Sequence, residues 1–170
     1  MHVSESLELV LRAILIGAGA TMVMDVWAAL LRRFGVPSLN FAFLGRWIGH
    51  LRHGQLRHAK IAAAAPVRGE RLIGWAAHYS IGISFAALLL VTRGLGWARS
   101  PTLVPALVIG IATVVAPLFI LQPALGAGIA SSKTPTPVFN SVKSVVTHTV
   151  YGVGLYVAAL ATASLLPAGA

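Results

Sequence analysis

LVLRAILIGAGATMVMDVWAALL, residues 9–31, holds only two ionisable side chains, Arg12 and Asp25. A helix needs about 20 predominantly apolar residues to cross about 30 Å of hydrocarbon, and this run is long enough. Three more runs of the same kind follow, at roughly residues 72–92, 102–123 and 144–166. A membrane barrel would instead show alternating strands of about 10 residues, and no such alternation appears. The expected fold is therefore all-α, an integral membrane four-helix bundle, with residues 1–170 as a single membrane domain. Composition agrees. The chain is 57% apolar and 10% charged, whereas soluble domains are about a quarter charged. The first run is flanked by Glu5 and Glu8 rather than a basic cluster, which favours a retained helix over a signal peptide. There are no cysteines, so disulfides and thiolate metal sites are excluded.

The net charge is +9. In a soluble protein such a balance suggests nucleic acid, but the placement of the charges gives a plainer account. Arg32, Arg33, Arg46, Arg52, Arg57, Lys60, Arg68 and Arg71 lie between the first and second runs, and Lys133 and Lys143 between the third and fourth. The middle loop has only Arg93 and Arg99. Loops rich in Lys and Arg stay cytoplasmic. Both termini are thus expected outside an inner membrane, with no nucleic-acid partner.

The first loop begins SLNFAFLGRWIGHLRHGQLRHAK, with Ser38 or Asn40 as a cap. Phe41, Leu44, Trp47, Ile48 and Leu51 recur at helical spacing. This pattern predicts an interfacial helix lying in the membrane plane. Trp47 would sit at headgroup depth, with Arg46, Arg52 and Arg57 toward anionic lipid headgroups. The duplicated LRH raises a metal reading through His50, His53 and His58. Gly54 interrupts the helix there and no carboxylate is near, so a wet cationic face explains the histidines more simply. In the third loop the Thr-Pro pairs favour an extended stretch. GAGIASS (126–132) resembles an anion cradle but lacks the spacing of a phosphate loop, and small residues beside a helix end more often serve packing.

HYSIGISFAALLL from residue 78 aligns with HTVYGVGLYVAAL from residue 148, and GATMVMDVW from 19 with IATVVAPLF from 111. Thr21 then meets Thr113 and Asp25 meets Pro117, a pattern that suggests a tandem repeat of two-helix units. Depth adds to this. Counted from the flanking basic residues at about 1.5 Å per residue, Asp25, His78 and His148 lie roughly 8 to 11 Å inside the cytoplasmic boundary. Gln122 is expected slightly shallower, and Thr21 is one turn from Asp25. Ionisable groups inside a bilayer are costly and face the bundle interior or a wet cavity.

Four roles suit such a polar layer. It can be interhelical glue, a site for a proton, cation or small polar solute, a metal site through Asp25, His78 and His148, or a haem held between the two histidines. The sequence assigns no cofactor. Catalysis has little support: Glu5, Glu8 and Glu70 lie outside the spans, and Ser80 and Ser84 lack a nucleophile turn.

GATMVMDVWA, IAAAAPVRGERLIGWAAHYSIG, PTLVPALVIG, TVVAPLFILQPALGAGIASSKTPTP and THTVYGVGLY together resemble the bacterial membrane proteins grouped as domain of unknown function family 2938. The resemblance covers roughly residues 10–160. It implies a small four-helix inner-membrane protein and carries no reaction, ligand or catalytic residue. A chain of four helices is small for a complete transporter, which leaves room for a homodimer or a membrane-protein partner. The first expectation is a binding or transport-type module, the second a structural or accessory subunit, and the third a metal- or haem-binding membrane protein.

Overall fold

A computed structural model describes residues 5–166; residues 1–4 and 167–170 of the expected single domain lie outside the described residues. The fold is all-helical, with no strand among the described residues. In chain order the elements are α1 (Glu5–Arg33), α2 (Phe41–Leu51), α3 (Glu70–Arg99), α4 (Leu103–Ala112), α5 (Gln122–Leu125) and α6 (Pro137–Leu165). Short 3-10 turns at Ile61–Ala63 and Ile129–Ser131 precede α3 and α6. Four segments are long and apolar enough to cross a membrane: Glu5–Arg33, Glu70–Arg99, Leu103–Leu125 and Pro137–Leu165. Only 22–33% of the most apolar stretch of each is buried inside the protein. Met22, Val26, Val91, Val104, Val108 and Phe119 are among the large apolar side chains left exposed. Apolar surface on that scale is stable against acyl chains rather than water.

The third span is continuous in hydropathy but not in helix. A turn at residues 113–114 follows α4, and Ala116–Leu121 is π-helical. Pro117 brings no N–H to the ladder, and the Gln122 N–H reaches back five residues to the Pro117 carbonyl. On α3 the break is Gly94, whose φ of 76° only glycine adopts freely. The third loop is also tighter than the extended stretch its Thr-Pro pairs favour. Lys133 N donates to Ala127 O and the Thr134 hydroxyl to Ser131 O, so most of it is turn until Pro137 opens α6.

The chain divides into two compact units. Unit 1 comprises Met1–Leu30, Tyr79–Ala112 and Thr147–Ala170; unit 2 comprises Leu31–His78 and Thr113–Val146. Unit 1 holds the apolar core, in which Ile16, Leu89, Leu90 and Leu155 are fully buried. Its helices cross where side chains vanish. A Cβ on Gly82 would overlap the Thr21 hydroxyl, and one on Gly110 would overlap the backbone of Gly152. Such close approach is how helices associate in lipid, where apolar surface alone gives them no reason to. The end of unit 1 where Glu8, Ala98 and Leu166 come together is fastened by Arg12, which is fully buried. It pairs with Glu8 at 2.8 Å and donates to the carbonyls of Ala98 and Leu166.

Unit 2 is organised around α2. Asn40 caps it, accepting from Ala42 N at 3.0 Å. Gly45 and Gly74 bring α2 and the start of α3 backbone to backbone, so that a Cβ on either would overlap a carbonyl of the other helix.

Candidate functional site

Of the polar layer read from the sequence, Thr21, Asp25 and His148 fall in unit 1, and His78 and Gln122 in unit 2. In unit 1, Thr21 is buried and returns its hydroxyl to Gly17 O at 2.8 Å. That bond stays within α1 and leaves the side chain flat against α3. Asp25, one turn on, is half-buried and accepts a hydrogen bond from the phenol of Tyr79. His148 is buried on α6. One turn further along the same face, Tyr151 donates to Gly82 O at 2.7 Å.

Tyr79 and Tyr151 were not singled out by sequence reasoning. The signal was present: Tyr79 follows His78 directly, at nearly the same depth as Asp25, and Tyr151 lies three residues after His148. Tyrosine gives a weaker signal than Asp or His because its ring suits an apolar helix and only its tip is polar.

In unit 2 the other two layer residues have company of their own. The ring of His78 stacks on Phe41, with centroids 4.2 Å apart, and meets Trp75 edge-on at 5.9 Å. Gln122 accepts from the Ser131 hydroxyl at 3.0 Å and donates to the Ser144 hydroxyl at 3.3 Å. Gln122 thereby pins the third loop to the base of α6. Among the described residues, no three His, Asp or Glu side chains gather closely enough to hold a metal ion.

The loop arginines divide. Arg52 and Arg57 are exposed, and Trp47 donates its indole N–H to Leu56 O at 3.0 Å. Arg46, expected at the lipid surface, is instead 8% exposed. It forks onto Glu70, with Nε and Nη2 each 2.8 Å from a carboxylate oxygen. Its remaining nitrogen, Nη1, meets the carbonyls of Ile61, Ala62 and Ala64. The physical reason is that a planar guanidinium has five donors in a fork that fits one carboxylate and a turn of backbone together. The hydrogen bonds that Arg46 donates to Glu70 push its pKa above the ordinary value, outweighing the opposing effect of burial. Of the three loop histidines, His50 and His58 meet, Nδ1 to Nε2 at 2.7 Å. His53 stands apart and accepts from Arg52 at 3.0 Å.

The family described as "Protein of unknown function (DUF2938)" matches residues 14–162, and the chain belongs to it. No curated protein and no solved structure matches the chain.

Proposed function

We propose that this member of the DUF2938 family is a multi-pass inner-membrane binding module of the transport type, with both ends outside and its basic loops in the cytoplasm. Its working groups are Asp25, Tyr79, Thr21 and His148, all within unit 1. The ligand is a proton, a cation or a small polar solute.

The observation that carries this reading is the hydrogen bond from Tyr79 to Asp25 between two apolar helices. An ionisable side chain inside a bilayer is costly to keep and typically marks a pathway for ions or solutes. A carboxylate has about four lone-pair sites. A phenol that takes one of them fixes the rotamer while the group can still meet a proton or cation. The topology rests on the ten Lys and Arg residues of the two odd-numbered loops.

The second reading is an accessory subunit in which these groups only fasten helices. Thr21 and Tyr151, whose hydroxyls return to backbone carbonyls, favour it. Proteoliposomes of phosphatidylethanolamine and phosphatidylglycerol separate the two. With a proton or sodium gradient imposed, wild type is expected to pass one of these ions at least tenfold faster than empty vesicles, and Asp25→Asn to return the rate to background. Wild-type flux at the level of empty vesicles would remove the transport reading and leave the accessory subunit.

A further inference from the structure

Unit 2 contains an open cavity of about 460 Å³, lined among others by Arg57, His58, Gly126, Gly128, Ser132 and Lys133. Its walls come from the first and third loops, and the two are fastened together. His58 N donates to Ala124 O at 2.9 Å. Gly126, at φ 95°, lies so close to the first loop that a Cβ would overlap the Ala59 carbonyl. Lys133 N donates to Ala127 O at 2.9 Å, which closes the third loop around Gly128. Arg57 and Lys133, 76 positions apart in sequence, thus line one space.

The charge around that space is uncompensated. Unit 2 carries Arg32, Arg33, Arg46, Arg52, Arg57, Lys60, Arg68, Arg71, Lys133 and Lys143 against one carboxylate, Glu70. Glu70 is taken by Arg46. No acid lines the cavity. The second sign is His58 itself. It is 7% exposed, its Nε2 is engaged by His50, and its Nδ1 is buried without a hydrogen-bond partner. A buried polar nitrogen in that condition is costly unless something supplies a partner.

We propose that this cavity binds a phosphate monoester group, carried by a soluble ester or by a lipid headgroup. The chemistry is shared by both sources. Arginine presents a fork that matches two phosphate oxygens, and lysine adds a point charge. A third oxygen reaches the His58 imidazole when the ring turns its buried Nδ1 toward the cavity, which gives that nitrogen the partner it lacks. The volume lies within the about 300–1,000 Å³ typical of ligand pockets, so it admits a phosphate with a small organic part attached. The site stands independently of Asp25.

The test uses full-length protein in two arms. In non-ionic detergent, thermal unfolding is followed against inorganic phosphate and glycerol 3-phosphate, with chloride at matched ionic strength as reference. In nanodiscs, it is followed in phosphatidylcholine alone and with phosphatidic acid added. A ligand that binds the folded state raises the unfolding temperature with concentration. The expected result is such a rise in one arm, with apparent affinity weakened at least tenfold, about 1.4 kcal/mol, by combined Arg57→Gln and Lys133→Gln. Both side chains are exposed, so that variant should melt like wild type in chloride. If it does not, Arg57→Gln alone is titrated and should lose at least threefold. A rise with the soluble phosphates assigns a soluble ester, and a rise confined to phosphatidic acid assigns a headgroup. No rise in either arm, or a rise that the variants retain in full, overturns the proposal.

Discussion

Unit 1 packs Ile16, Leu89, Leu90 and Leu155 against one another with no exposed surface, whereas unit 2 has Arg46 among its buried side chains, bonded to a carboxylate and three carbonyls. The contrast follows from what surrounds each kind of segment. Helices in lipid gain little by hiding apolar side chains, because acyl tails are equally apolar. They associate through close backbone approach and a few hydrogen bonds. Loops have carbonyls outside any helical ladder, and these need donors. A single arginine supplies them for the turn at residues 61–64. Charge therefore plays two parts. Arg12 and Arg46 are struts, their donors spent on carboxylates and backbone. Asp25, with the Tyr79 phenol on it, is the group that the proposed function holds for a ligand.

The most damaging change should fall on the loop unit, where backbone meets backbone. Gly45→Ala drives a methyl into the Glu70 carbonyl, and neither helix can yield without losing the other. Overpacking of this kind typically costs about 1–3 kcal/mol and here should reach the top of that range or beyond. Hydrogen exchange should show the protection of α2 and of residues 61–74 collapsing while residues 80–90 stay protected. Uniform loss across both units would break the distinction drawn above.

Arg46→Met comes next. A deep ion pair broken on one side costs about 3–5 kcal/mol. This one lies near the surface, with Glu70 17% exposed, so about 2 kcal/mol is expected. Glu70→Gln should cost less, because the amide oxygen still accepts one arm of the fork. Thermal unfolding in detergent gives both values, and equal losses would mean that charge rather than geometry is the source. Tyr151→Phe should cost the least of these four substitutions. It removes a single bond to Gly82 O from a well-packed ring, which should cost about 1 kcal/mol. The loss should appear as faster exchange on α3 near Gly82 and leave the loop unit untouched.

The parts of this structure that hydropathy governs were readable in advance. The runs at 9–31, 72–92 and 144–166 lie within α1, α3 and α6 except at the last residue, and α2 begins after the Asn40 cap. The length of α6 was less visible, since Pro137 starts it well before the apolar run. The break at residues 113–121 was not foreseen, because mean hydropathy does not register a proline's missing N–H. Arg46 was misplaced for a different reason. Helical spacing told which face it occupied, but not that Glu70, 24 residues on, would come to meet it. Arginines claim two of the four acids, Glu8 and Glu70, and the scarcity of acids beside a net charge of +9 was the clue. In the candidate site, Asp25, Thr21 and His148 were legible as rare polar groups in apolar helices. Tyr79, which engages Asp25, was hidden among residues whose aromatic rings suit a membrane helix anyway.

Asp25 can be tested as strut or working group by one comparison, the unfolding temperature of Asp25→Asn beside wild type in the same detergent. Asparagine keeps an oxygen for the Tyr79 phenol, and sites held for function are commonly costly to stability. Asp25→Asn should therefore melt at the wild-type temperature or above it. A fall as large as that of Arg46→Met would show that Asp25 holds the helices together, and would contradict its assignment as the ligand-handling group.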